Sequence, residues 1–291
     1  MNIALLLSGG TGTRLGKDIP KQYIRVGSFM IITYALRPLL ASGHIDAVAI
    51  VAGEGYRDEI TADINRLRNK ETGSDGAITN GLPENETGNM SENEKLSFDD
   101  ISGVGSLYDD LIDKLVVFAD PGKNRQLSIL SGMEKALELL PEGARLSVAE
   151  KDERKGDGDR KQNTVFIHDA ARPLLKEALI DDCYKALPGH DGVMPVLPMK
   201  DTVYLSGNGR SVEQLLPRDR VFAGQAPELF LLEPYYSATK KLLPDEIMKI
   251  VGSTQVAIGA GMDIAMIPGD EGNFKITTMP DLERFAGIIT G

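Results

Sequence analysis

One cysteine, Cys183, and three histidines, His44, His168 and His190, are all that 291 residues offer of the usual soft metal ligands. A single thiol cannot close an intrachain disulfide or build a cysteine zinc cluster, and histidines this scattered do not suggest a His-rich metal site. Positive charge is also scarce: 32 basic residues face 43 acidic ones, for a formal net charge of −11. With no Lys/Arg tract, such a chain is a poor partner for nucleic acid or anionic membrane. Any basic site must be local and must work against the overall field, so each clustered Lys or Arg is informative. Long apolar runs are missing too. The start, Met1-Asn2-Ile3-Ala4-Leu5-Leu6-Leu7, has no basic leader and meets Ser8-Gly9-Gly10 after five apolar residues. That is too short for a signal peptide or a membrane span, so a cytoplasmic protein is expected.

What is present reads as an ordinary globular chain, with 42% hydrophobic and 26% charged residues. Short apolar runs at 3–7, 46–52, 114–118, 164–167 and 192–197 read as buried strands. Between them, 29–42, 126–140 and 176–186 read as helices, the first closed by Gly43. Strands alternating with helices predict an α/β fold: a Rossmann-like, mostly parallel sheet with helices on both faces, in one domain over 1–291. Such a sheet binds ligands at the carboxyl ends of its strands. Two polar stretches break the rhythm, 69–112 and 149–163, and are expected to be surface insertions because they offer little apolar surface to bury.

The first strand runs into Ser8-Gly9-Gly10-Thr11-Gly12-Thr13-Arg14-Leu15-Gly16, followed by Pro20-Lys21-Gln22-Tyr23. Glycines at such a turn let backbone N–H groups converge on an anion. The dinucleotide fingerprint fails, since its third glycine would fall on Leu15, and the Walker A pattern fails at Thr11 and Asp18. What remains is a glycine-rich turn with two cations, Arg14 and Lys21, close behind it. In so acidic a chain, that combination points to a polyphosphate.

Gly9-Gly10-Thr11-Gly12-Thr13-Arg14 with Pro20-Lys21-Gln22-Tyr23 resembles the CTP signature of the 2-C-methyl-D-erythritol 4-phosphate cytidylyltransferases, shared by the related ribitol-5-phosphate cytidylyltransferases. Further blocks follow in the same order: Pro121-Gly122-Lys123-Asn124-Arg125-Gln126-Leu127-Ser128, His168-Asp169-Ala170-Ala171-Arg172-Pro173, Pro198-Met199-Lys200-Asp201-Thr202, Arg218, Gln225-x-Pro227 and Asn273-Phe274-Lys275-Ile276-Thr277. The resemblance implies a nucleotidyltransferase-type fold with a projecting β-arm at 199–222, and a CTP-dependent enzyme of isoprenoid precursor synthesis. It implies that Gly9, Gly10, Thr11, Gly12, Gly122, Arg125, Ser128, Asp169, Ala170 and Arg172 bind the nucleotide. Arg14, Lys21 and Lys275 would act on the reacting phosphates; Thr202, Arg218 and Lys275 would bind the sugar-alcohol phosphate; Asp169 would hold Mg2+. The arm, whose Asn208-Gly209 pair reads as a hairpin turn, would cross to a second subunit of a homodimer.

The chemistry asked of these residues is electrostatic. The attacking group is a phosphate with a second pKa of about 6, already anionic near neutrality, so no general base is required. His168 is therefore expected to be a packed histidine rather than a base. The acceptor half departs from the family pattern. Ala226 stands where the family usually carries Thr, and Ser253-Thr254-Gln255 stands about where it has Thr-Asp-Asp or Thr-Asp-Glu. Ribitol 5-phosphate or another polyol phosphate for cell-envelope polymers is the alternative acceptor. A nicotinamide-dependent oxidoreductase and a catalytically silent binding module are the readings from other classes.

Overall fold

The structure is a computed structural model that describes residues 1–10, 19–68, 114–140 and 162–290. Thr11, Gly12 and Arg14 lie outside the described residues, as do the expected insertion at 69–112 and residues 149–161 of the second one.

Strand β1 (Asn2–Leu7) is the centre of the sheet, and its side chains show why. Ala4 and Leu6 point into one apolar layer and Ile3 and Leu5 into another, all fully buried. A strand covered on both faces needs a continuous apolar run rather than alternation, and this is what the sequence supplies. Each fully buried Leu or Ile contributes about 1.5–3 kcal/mol. β4 (Ala47–Val51) and β6 (Thr164–Asp169) flank β1 in parallel, and β5 (Leu115–Ala119) continues the sheet beyond β4.

Beyond β6 come β11 (Glu228–Leu231) and β7 (Gly192–Pro198), with β10 (Phe222–Gly224) on the far stretch of β7 and β12 (Ile264–Pro268) along its other side. β11 runs antiparallel to both neighbours and β10 antiparallel to β7, while β12 is parallel to β7. The result is an eight-stranded, mostly parallel sheet.

Helices α1 (Ile31–Ala41), α2 (Arg57–Arg68), α4 (Glu177–Ala186) and α7 (Met279–Thr290) cover one face. Helices α3 (Arg125–Leu137), α5 (Leu232–Lys241) and α6 (Ser253–Gly259) cover the other. Chain order explains the split. From β1 the chain moves outward through α1 to β4 and through α2 to β5, then returns through α3 to β6 on the opposite side of β1. With crossovers of one hand, reversing direction puts α3 on the opposite face. The reversal puts a topological switch point at the carboxyl ends of β1 and β6, the expected ligand position in such sheets.

The expected helix at 29–42 needs correction at its start. Phe29 and Met30 form β3 and pair with β2 (Arg25–Val26) across a tight turn at Gly27, whose φ is +57°. The helix begins only at Ile31. Buried Asp63 of α2 sets that boundary, accepting hydrogen bonds from Met30 N at 3.0 Å and Thr33 Oγ1 at 2.7 Å. The helix expected at 126–140 likewise ends early, at Leu137.

The expected β-arm is present. β8 (Val203–Leu205) and β9 (Gln214–Leu216) form a separate antiparallel hairpin. At its tip Asn208 Oδ1 accepts from the N–H groups of Arg210 and Ser211, and Gly209 has a φ of +67°. The hairpin is almost wholly exposed.

Candidate active site

Three chain segments meet at the carboxyl ends of β1 and β6. The first is the end of β1 itself. Ser8 and Gly10 present carbonyl oxygens to the side-chain amide of Gln22, at 2.5 and 2.8 Å, and Tyr23 Oη lies 3.1 Å from Ser8 Oγ. Tyr23 in turn stacks on Tyr56, ring centroids 3.8 Å apart. Gln22 and Tyr23 thus clamp the start of the glycine-rich turn, and Lys21 stands on the same short 3-10 helix. Gly9 is needed for contact with the second segment: a Cβ there would lie 2.5 Å from Pro121 Cβ.

That second segment leads into α3. Asn124 caps the helix, its Oδ1 accepting from Leu127 N at 2.8 Å. Ser128 Oγ accepts from Gly122 N and donates to the Asn124 carbonyl, both at 3.0 Å. A side chain on Gly122 would stand 2.4 Å from Leu127 Cβ and 2.8 Å from Ser128 N. Gly122 and Ser128, expected as nucleotide contacts, therefore also build the turn that carries Arg125, the first residue of α3.

The third segment is the end of β6 and the 269–277 loop packed beside it. Asp169 is the last residue of its strand, opposite Leu7 of β1, and Ala170 N extends the ladder to the Leu7 carbonyl at 3.0 Å. The loop is fixed by Gln225, which bonds Asp270 in both directions, and by buried Asn273, whose Nδ2 donates to the Ala226 carbonyl at 2.9 Å. Ile276 N bonds the Ala171 carbonyl at 2.8 Å, which sets Lys275 beside Asp169.

The outcome is one compact charge cluster. Asp169, with a side chain only 10% exposed, accepts from Lys275 Nζ on Oδ2 at 2.8 Å and from Arg125 Nη1 on Oδ1. Arg172 Nε is 4.0 Å from Oδ2, and its Nη1 donates to the Asn273 carbonyl at 2.8 Å. Burial alone would raise the Asp169 pKa, but Arg125 and Lys275 outweigh it and hold the carboxyl well below the usual range. Arg125 is balanced in the opposite sense: burial works against its charge, and Asp169 and Glu228 more than restore it. Lys275 stays 40% exposed, so its ammonium is open to an incoming anion.

His168 is fully buried on β6, with Nε2 3.0 Å from the Arg172 carbonyl. Burial pushes its pKa down to about 4, so the ring is neutral near pH 7 and serves to hold the Arg172 backbone. Thr202 and Arg218 are not in the cluster. Both are exposed at the root of the arm, where Arg218 Nη1 donates to the Lys200 carbonyl at 2.9 Å.

Sequence reasoning missed one member. Glu228, the first residue of β11, is buried with Oε2 3.5 Å from Arg125 Nη2. Its carboxylate accepts from the hydroxyls of Ser253 and Thr254. Only tertiary contact links these residues.

Fold and cluster together define an α/β protein with a cluster of fixed charges at the switch point of its sheet. The family model described as 2-C-methyl-D-erythritol 4-phosphate cytidylyltransferase matches residues 103–290. The chain belongs to this family. It is 29% identical over 285 residues to a bifunctional IspD/IspF enzyme of Maricaulis maris, covering 97% of this chain and 55% of that protein. It is 26% identical over 286 residues to the 2-C-methyl-D-erythritol 4-phosphate cytidylyltransferase of Thermotoga neapolitana, covering 97% and 94%. The chain thus spans about half the length of the bifunctional relatives it matches. Among solved structures, the 4-diphosphocytidyl-2C-methyl-D-erythritol synthase of Anaerococcus prevotii aligns with a TM-score of 0.66 at 18% identity, over 98% of this chain and 96% of that one. The Francisella tularensis cytidylyltransferase aligns with a TM-score of 0.62 at 19% identity, over 99% and 100%. These likenesses support the nucleotidyltransferase-type fold.

Proposed function

We propose that the chain transfers the cytidylyl group of CTP to 2-C-methyl-D-erythritol 4-phosphate, releasing pyrophosphate and forming the diphosphocytidyl alcohol for isoprenoid synthesis in the cytoplasm. One observation carries this reading: Asp169, Arg125, Arg172 and Lys275 share a single cluster at the switch point, beside the glycine-rich turn. The reaction brings two polyanions together and develops charge on the α-phosphate and the leaving pyrophosphate, so fixed donors and cations are what it needs. Lys275 is the ammonium best exposed to meet the reacting phosphate. Lys21, on the clamped turn after Gly9 and Gly10, would serve the triphosphate with Thr11, Gly12 and Arg14. Arg125, Gly122, Ser128, Ala170 and Arg172 would bound the nucleotide. The acceptor's phosphate is its own nucleophile, in keeping with a buried, neutral His168 that is tied to the backbone.

The donor set suits Mg2+, which binds through one or two carboxylates together with substrate phosphates. Asp169 would hold it with the triphosphate; when bound, the ion neutralises phosphate charge. Among the described residues no group of three or more His, Cys, Asp or Glu could hold a metal ion. Thr202 and Arg218 would grip the acceptor from the arm of a second copy. The exposed Tyr204, Leu205, Val212 and Leu215 on that hairpin support such a homodimer, because a soluble monomer rarely leaves an apolar patch uncovered. No described helix is long and apolar enough to cross a membrane.

Pyrophosphate release from CTP and Mg2+ with each acceptor tests the reading. Release with 2-C-methyl-D-erythritol 4-phosphate is expected. Preference for ribitol 5-phosphate would overturn the acceptor and leave the reaction type standing, and release with neither would overturn both.

A further inference from the structure

Ser253-Thr254-Gln255 lacks the two carboxylates expected at that place, yet the structure brings a carboxylate there from another element. Glu228 enters from β11 and sits with its side chain 11% exposed. The Ser253 and Thr254 hydroxyls both donate to it, Thr254 on Oε1 and Ser253 on Oε2. Ser253 is held in turn from behind. Its carbonyl accepts from Tyr235 Oη at 3.0 Å, and Tyr235 Oη lies 3.2 Å from Gln126 Nε2, next to Arg125 in the chain. Carboxylate, hydroxyls, tyrosine and amide form one buried polar group packed under the start of α3.

The face that Glu228 turns toward the site meets only Arg125 among its described ion pairs. The guanidinium is therefore forked between two carboxylates, Asp169 on Nη1 and Glu228 on Nη2. The two anchors differ in permanence. Asp169 is shared with Lys275 and Arg172, and under the proposed function it would be drawn toward the nucleotide's phosphates and their counter-ion. Glu228 pairs with Arg125 alone among the cations of the described residues. A cation tied only to Asp169 would lose its orientation when substrate binds, whereas one tied also to Glu228 keeps it.

We infer that Glu228 is a positioning residue that fixes Arg125 for nucleotide binding. The inference rests on the proposed role of Arg125 toward CTP. It assigns Ser253 and Thr254 the task of orienting a carboxylate rather than supplying one.

Calorimetric binding of CTP to the full chain in the presence of Mg2+, alongside steady-state kinetics, tests it. Glu228→Gln keeps the shape and removes the charge. The loss of a charge-assisted contact is expected to raise the CTP dissociation constant and the KM for CTP about tenfold, with kcat changed less than about threefold. Glu228→Gln combined with Ser253→Asp places a carboxylate on the helix beside the same guanidinium and is expected to recover most of the loss. Recovery of nucleotide affinity is a result that a purely structural role for Glu228 does not produce. Should Glu228→Gln fail to fold, Thr254→Val removes one orienting hydroxyl and is expected to weaken CTP by about threefold. Undiminished CTP affinity in the folded Glu228 or Thr254 variants, with a weakened Arg125→Ala, would overturn the inference alone. A wild-type protein that does not bind CTP would overturn the reading beneath it as well.

Discussion

The Asp169 cluster and the hairpin arm are built on opposite plans. Around Asp169 the charges converge from several elements: α3 sends Arg125, the 269–277 loop sends Lys275, and β11 sends Glu228. The arm is a two-stranded ribbon whose internal bonds are mostly those of its own tip, with Tyr204 56% and Leu215 59% exposed. An isolated hairpin is marginal in water, so the arm has little reason to persist unless something covers it. Under the proposed function, this difference would let one chain supply the cations of the nucleotide half, and would leave the acceptor half, Thr202 and Arg218, on an element suited to a second copy.

The largest effect should come from the cluster. Lys275→Ala and Asp169→Asn are each expected to lower kcat about 10²–10³-fold, the scale for removing a fixed electrostatic group from a reacting centre. Folding should survive in both, which circular dichroism and thermal melting would check. Next comes the arm. Tyr204→Asp with Leu215→Asp should leave CTP affinity within about twofold while raising the KM for the acceptor about tenfold or more, with sedimentation reporting monomers. A tenfold loss of CTP affinity in that variant would break the contrast between the halves.

Smaller effects test the local geometry. Gly122→Ala drives a methyl into Leu127 and the Ser128 backbone, which should cost about 1–3 kcal/mol and raise the KM for CTP. The smallest effect lies at the end of the 269–277 loop, where α7 begins. Asp281 accepts from the N–H groups of Thr277 and Thr278, both at 2.8–2.9 Å, at the start of α7. Burial opposes the charge, but these bonds hold its pKa down at about 2. A depressed carboxylate pKa contributes stability in full above its unfolded value near 4, and loses it as pH falls toward 2. Asp281→Asn should therefore melt lower by about 1 kcal/mol at pH 7, and that gap should close between pH 4 and pH 2.

Much of this was readable in the chain itself, for physical reasons. β1, β4 and β6 are continuous apolar runs, because covered strands must be, and the blocks around Asp169 and Gly122 carry their chemistry in consecutive residues. The reversed strands β10 and β11 were not legible: Gly224, Pro227 and the charged Glu228 interrupt the pattern that marks a buried strand. Phe29 and Met30 looked helical because the boundary is set by Asp63, a residue more than thirty positions away. Glu228 escaped for the same reason. Its meaning depends on hydroxyls 25 and 26 residues later and on a guanidinium over a hundred residues earlier. At Ser253-Thr254 the sequence alone registers two missing carboxylates, while the fold sets the Glu228 carboxylate against their hydroxyls.

The most direct measurement is a crystal structure of the protein with Mg2+ and a non-hydrolysable CTP analogue. The triphosphate is expected across the carboxyl ends of β1 and β6, its α-phosphate within about 3 Å of Lys275 Nζ, with Asp169 turned toward the phosphates and Arg125 still held by Glu228. A nucleotide seated elsewhere on the sheet, with the Lys275–Asp169 pair undisturbed, would contradict the account.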